Sequence, residues 1–270
     1  MNKLLSQERK QYIKHNRKRK ILVLTTQVAI LVGFLAIWEI LADMNVIDSF
    51  IMSQPSRIWE TLTNLGANDL LMHIKVTVYE TVVGFLLGTI LGTIIAIMLW
   101  WSKFLSDVLE PYLVVLNSLP KVALGPVIII WVGAGTPAII VMAVAISLVV
   151  TILENLNGFI KTDKDLIKMA KTFRATKFQI LTKIVIPANI STFINSLKVS
   201  IGLSLVGVIS GEFLVSKAGL GYLIVYGGQV FKLDLVMASV IILGVVAGLM
   251  YLAVLLLEKM ILGSIGTRSK

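Results

Sequence analysis

Six stretches of this chain are long and apolar enough to cross a lipid bilayer, and they constrain its fold more than any other feature. They are Ile21–Ala42, Val76–Trp100, Val108–Trp131, Ala138–Leu156, Thr192–Val215 and Leu235–Leu257. A helix crossing the hydrocarbon core needs about 20 mostly apolar residues. Each window supplies that length, and lipid forces the backbone inside it to satisfy its own hydrogen bonds. Composition agrees: 57% of the residues are hydrophobic and 15% charged, against roughly a quarter charged in soluble domains. The expected fold is an all-α integral membrane protein with six transmembrane helices. The first window fills a full span and lacks a small-x-small cleavage site, so it reads as an uncleaved signal anchor. With no Cys, disulfides, thiolate metal sites and Cys nucleophiles are excluded. The two His residues, His15 and His73, lie far apart. No metal or cofactor is expected in this chain.

The asymmetry of Lys and Arg sets the orientation. With the N-terminus in the cytoplasm, about nineteen basic residues fall on inner segments and four, Arg57, Lys75, Lys217 and Lys232, on outer ones. Both termini are then cytoplasmic in a multi-pass membrane protein. The net charge of +10 follows from this topology and from contact with anionic lipid, so no nucleic-acid partner is needed. The expected organisation is a flexible basic cytoplasmic arm (1–20), the first span (21–42), an outer loop with a short helix (43–75), a five-span core (76–257) and a cytoplasmic tail (258–270). In the outer loop, Pro55 suits a first helical turn, Ser53 or Ser56 can cap, and Ile58, Trp59, Leu62 and Leu65 form an apolar stripe.

The third span is irregular. Asn117-Ser-Leu-Pro120-Lys121 interrupts it and Gly125-Pro126 follows. Proline removes an amide donor and breaks a helix, so the freed carbonyls must face protein or a wet cavity. Lys121 falls near mid-membrane by count. Such a charge either serves a pathway or pairs with a carboxylate or a freed carbonyl. Gly84, Gly88 and Gly92 recur every four residues, and the fifth span carries Gly202, Gly207 and Gly211; small residues let membrane helices approach closely. Glu80, Glu154 and Glu212 either line a polar pathway or are satisfied by neighbours. Asn117, Lys121 and Glu212 are the pathway candidates.

One hydrophilic interruption, Gly158 to Asn189 within loop 158–190, is too long for a tight turn and too basic for lipid. Thr162-Asp163 offers an N-cap, with Asp163 and Asp165 at a helix start that favours negative charge. Leu166, Ile167, Ala170 and Phe173 then share one face. Thr176 with Gln179 is a capping box, and Phe178, Leu181, Ile184 and Val185 form the apolar side of a second helix that Pro187 ends. The expected element is a capped cytoplasmic helix pair with an apolar surface for the protein's own spans, lipid headgroups or a partner subunit.

This segment resembles the EAA loop of permease subunits of bacterial type I ABC importers, the binding-protein-dependent kind. Aligned on Ile184-Val185-Ile186-Pro187, the pattern places Ala170 at its second Ala, Met169 at its first, Lys168 at its Glu and Arg174 at its Gly. The chain departs from the pattern at Lys168 and Arg174. If that turn needs positive φ, Arg174 costs about 1 kcal/mol. Leu119-Pro120-Lys121-Val-Ala-Leu-Gly-Pro126 through Ile130-Trp131-Val132-Gly133 is similar to a stretch of permeases for nitrate, alkanesulfonates, taurine and thiamine precursors, as are Pro55-Ser56 and Gly219-Leu220-Gly221-Tyr222.

The resemblance implies a permease of a bacterial inner membrane that pairs with a second copy, takes solute from an external binding protein and docks a cytoplasmic ATPase dimer through Lys168, Ala170, Phe173, Arg174, Phe178, Ile184 and Pro187. It implies a small anionic or polar solute, sulfonate-like or vitamin-precursor-like. No G-x-x-x-x-G-K-[ST] phosphate loop occurs, so the chain is not expected to be an enzyme and ATP would act on the partner subunit. Two other classes compete. A membrane enzyme would need His, Asp or Cys clustered at one depth, and none is visible. An ion-coupled secondary transporter would show inverted repeats and would leave the helix pair unexplained.

Overall fold

The structure is a computed structural model and describes residues 7–63 and 69–267. The chain forms two units, Met1–Thr63 and Asn64–Lys270.

In the first unit, α1 (Gln7–Asp43), α2 (Ser49–Met52) and α3 (Pro55–Thr63) follow one another. From residue 7 onward the basic arm is helical: α1 runs unbroken through Lys20 into the first apolar window. Its Gln, Glu, Lys and Arg residues are good helix formers, and no Gly or Pro precedes Gly33 in the helix. Asp48 caps α2, accepting from the Phe50 amide at 2.9 Å. Pro55 occupies the first position of α3, where its missing donor costs nothing. Ser56 lies inside that first turn and is not its cap; its amide donates to Glu39 Oε2 at 3.0 Å. Ile58 is buried and Trp59 exposed, so the expected stripe is split; Leu65 lies outside the described residues.

The second unit begins with α4 (Leu70–Trp101), α5 (Lys103–Ser118), a 3-10 turn (Lys121–Leu124), α6 (Gly125–Val132) and α7 (Thr136–Ile160). A loop element follows, with α8 (Lys164–Thr172), α9 (Lys177–Ile180), a π turn (Leu181–Val185) and α10 (Ile186–Ala188). Then come α11 (Ile190–Val215), α12 (Leu220–Gln229) and α13 (Leu233–Thr267). Among the described residues, five helices are long and apolar enough to cross a membrane. The third apolar window is a broken pair, α5 and the 3-10 turn with α6, bent by 88°, which makes six spans if the pair counts as one. The bend has a local cause. A residue before proline is pushed out of the helical region, and Leu119 is extended, with φ −66° and ψ 140°.

Three helices make the centre of this unit. Gly84, Gly88 and Gly92 of α4 lie against Ala143, Ser147 and Thr151 of α7, rung by rung. A Cβ on Gly84 would sit 2.6 Å from the Ala143 Cβ, and one on Gly92 2.8 Å from Thr151. Both series rise together, so α4 and α7 run parallel. Gly207 and Gly211 of α11 lie on Ala143 and Ile139 in the opposite order, so α11 runs antiparallel to α7. With no hydrophobic force to separate helices from lipid, this close approach is what holds them. A hydroxyl bridge adds to it, Thr151 Oγ1 to Ser200 Oγ at 2.6 Å. At the loop end, Lys198 of α11 pairs with Glu258 of α13 at 2.8 Å.

Candidate functional site

The loop between α7 and α11 is fastened at its base. Gly158 in the last turns of α7 lies so near α11 that a Cβ would meet Thr192 at 2.8 Å and Asn189 at 3.0 Å. Asn189 Nδ2 donates to Thr162 Oγ1 at 2.7 Å and to the Val185 carbonyl at 2.8 Å, both buried. The entry and exit of the loop are therefore tied to each other by a buried hydrogen bond and a close helix contact.

The local signals fold as their chemistry dictates. Asp163 caps α8 by accepting from the Asp165 amide at 2.8 Å. Lys168 pairs with Asp165 at 3.1 Å on the surface, where such a pair adds little. At the other end of α8, the Arg174 amide donates to the Lys171 carbonyl at 2.9 Å and the Ala175 amide to the Ala170 carbonyl at 3.0 Å. This pair of bonds is a Schellman motif, which needs a left-handed residue just past the helix end. Arg174 occupies it with φ 58°, the position that the resembled pattern gives to Gly. The capping box of α9 is complete: Thr176 N–H donates to Gln179 Oε1 at 2.8 Å and Gln179 N–H to Thr176 Oγ1 at 3.3 Å.

Pro187 does not end the second helix. It sits in α10, after the π turn. A π turn widens the backbone by one residue, which accommodates a residue with no N–H and a ring that collides with an α-helical carbonyl. The helix ends at Asn189, whose φ of −108° leaves the helical range.

The apolar residues of the loop divide into two sets. Ile167, Ala170, Ile180, Leu181, Ile184 and Val185 pack onto the ends of the bundle with Leu99, Leu113, Leu156 and Phe159. Leu166, Met169, Phe173 and Phe178 remain outside; Phe173 is 79% and Phe178 63% exposed. The single apolar face expected for α8 is thus two rows, because the bundle covers one side and leaves the other. Of the expected docking residues, Lys168, Phe173, Arg174, Phe178 and Pro187 are exposed, Ile184 is half-buried, and Ala170 is buried in the packing.

Two contacts have no local signal in the sequence. Lys177 Nζ lies 6.0 Å from the Trp100 ring centroid and 5.6 Å from that of Trp101. It also donates to the Trp101 carbonyl. The cation covers aromatic faces and an otherwise free carbonyl at the end of α4. The Asn189 to Thr162 bond is the other.

The pathway candidates separate. Asn117 is exposed at the end of α5, and Lys121, half-buried, donates from Nζ to the Asn117 carbonyl at 3.0 Å. Its cation thus serves the carbonyl that the Pro120 break sets free. Glu212 is buried at the opposite end of the bundle from the loop, with Thr77 and Gly221 as partners.

Residues 88–265 match the model of the family described as binding-protein-dependent transport system inner membrane component. The chain belongs to this family. The matched segment runs from the glycine ridge of α4 through the loop to the end of α13. A probable ABC transporter permease protein of Haemophilus influenzae is 30% identical over 220 residues, 82% of this chain and 89% of that one. The putative aliphatic sulfonates transport permease protein SsuC of Bacillus subtilis is 28% identical over 229 residues, 84% of this chain and 83% of that one. A solved structure of the MetNI methionine ABC transporter, in inward-facing conformation, contains a chain with the same fold. It matches with a TM-score of 0.62 at 18% identity, over 68% of this chain and 92% of that chain.

Proposed function

We propose that this chain is the permease subunit of an ATP-driven importer, coupled to a separate cytoplasmic ATPase dimer through loop 158–190. A second copy of the chain completes the solute pathway, and an external binding protein delivers the solute. The observation that carries the coupling role is the row of exposed apolar side chains, Leu166, Met169, Phe173 and Phe178, on a loop whose two ends are bonded together. A row of that kind fits a groove on a partner. The bonded base passes partner motion to α7 and α11, which is alternating access by rigid-body displacement. Asn117, Lys121 and Glu212 stay the pathway candidates. The solute is small and anionic or polar, sulfonate-like or vitamin-precursor-like; the name of the Bacillus subtilis relative supports the first.

Phe173→Asp tests the proposal. Burying a Phe side chain stabilises an interface by about 1.5–3 kcal/mol, so the variant should lose roughly 10- to 100-fold in ATPase affinity. The purified bundle should keep the thermal stability of the wild type, because Phe173 touches little of it. A variant that still captures the ATPase with wild-type affinity removes the coupling assignment. A wild-type chain that purifies with no ATPase would favour an ion-coupled transporter.

A further inference from the structure

At the end of the central bundle away from the loop, two carboxyl side chains are shut inside the helix packing. Glu80 of α4 is 0% and Glu212 of α11 is 1% exposed. Their surroundings differ. Glu212 Oε1 accepts from the Thr77 hydroxyl at 2.7 Å, and Oε2 accepts from the Gly221 amide at 2.5 Å. The Thr77 oxygen in turn accepts the Leu220 amide at 2.8 Å, which fixes its proton on Glu212. Two donors, one to each oxygen, is the environment of an ionised carboxylate. Neither oxygen of Glu80 has a donor in hydrogen-bonding geometry. Its polar neighbours are the Glu212 carboxyl group and the Thr136 hydroxyl at the start of α7, a donor that faces Glu80 outside that geometry. The nearby His73 uses Nδ1 to accept the Gly219 amide at 2.9 Å and stacks on Tyr222. Among the described residues, no Lys or Arg forms an ion pair with either Glu, and no three His, Asp or Glu side chains group as a metal site.

We infer that Glu80 and Glu212 form a proton-binding site, with one proton carried by Glu80 and donated to the Glu212 carboxylate. Two adjacent carboxylates cannot both ionise without a cation, and a buried carboxylate with no donor is costly in lipid. A proton on Glu80 removes both costs, because it neutralises Glu80 and makes it a donor to the Glu212 carboxylate. The pair then joins α4 to α11 and to the turn before α12. That turn is shaped for the carboxylate. Gly219, at φ 112°, lies against the Glu212 carboxyl group where any Cβ would overlap it, and a Cβ on Gly221 would come within 2.8 Å of Glu212. The inference does not depend on the transport reading.

The test uses the full chain in lipid nanodiscs. Glu80→Gln keeps a donor facing Glu212, so Tm should stay within about 2 °C of the wild type. Glu212→Gln replaces the acceptor of two donors and should lower Tm by about 5 °C. In the infrared, the wild type should show the carbonyl stretch of a buried protonated carboxylic acid, shifted in D2O, and Glu80→Gln should abolish it. If Glu212→Gln does not fold, the Glu80→Gln spectrum still decides. The inference fails if that band survives in Glu80→Gln or is absent from the wild type. It fails equally if Glu80→Gln destabilises as much as Glu212→Gln, or if added Na+ raises the Tm of the wild type but not of Glu80→Gln.

Discussion

Replacing Arg174 with Gly should strengthen the loop. Arg174 is held at φ 58° by two bonds of the Schellman motif, Arg174 N–H to the Lys171 carbonyl and Ala175 N–H to the Ala170 carbonyl. A left-handed conformation costs a residue with a Cβ about 1–2 kcal/mol. Glycine removes that cost but loses about 0.5–1 kcal/mol more backbone entropy on folding. The net gain is about 0.5–1 kcal/mol, or a two- to five-fold drop in local opening. Hydrogen exchange read by mass spectrometry on the peptide spanning residues 166–176 reports that opening directly. Arg174→Ala separates the backbone effect from the lost charge, since it keeps the Cβ and should not slow exchange. The reasoning is refuted if Arg174→Gly exchanges as fast as the wild type, or if Arg174→Ala slows exchange as much.

Two other perturbations follow from the packing. Asn189→Ala removes two buried hydrogen bonds, the one to Thr162 that ties the two ends of the loop together and the one to the Val185 carbonyl within the exit turn. It should cost about 2 kcal/mol and lower Tm by about 4–8 °C, measured by thermal unfolding in detergent, while reducing transport per ATP hydrolysed in proteoliposomes. Gly88→Val drives a side chain into Ser147 of α7 and should cost about 1–3 kcal/mol by overpacking. Gly202→Ala, with nothing within 4 Å of its Cβ, should be neutral or slightly stabilising in the same unfolding experiment.

What the sequence showed in advance was local. Apolar runs of span length mark α4, α7, α11 and α13 because lipid demands the pattern within one segment. The Thr176 and Gln179 capping box lies three residues apart, and Arg174, which takes positive φ, aligns with the Gly of the resembled pattern. Pro120 signalled the break in the third span, but not its 88° angle. The division of the loop into a covered and an exposed row could not be read from periodicity, because the bundle chooses the covered side. Nor could the meeting of Lys177 with Trp101 or of Glu80 with Glu212, since only the parallel course of α4 and α7 and the antiparallel course of α11 bring those helices together.

The rungs of small residues between α4 and α7 make these helices a single stiff strut. Helix α7 has 25 residues, which is about 37 Å of rise. A strut of that length pivoting by about 5° at the loop shifts its far tip by about 3 Å, roughly the span of one hydrogen bond. A tilt too small to disturb the rungs is therefore large enough to make or break a contact at the tip, where α7 begins beside Glu80. Under the proposed coupling, the close-packed middle of the molecule would carry a push at the loop to the carboxyl pair at the other end.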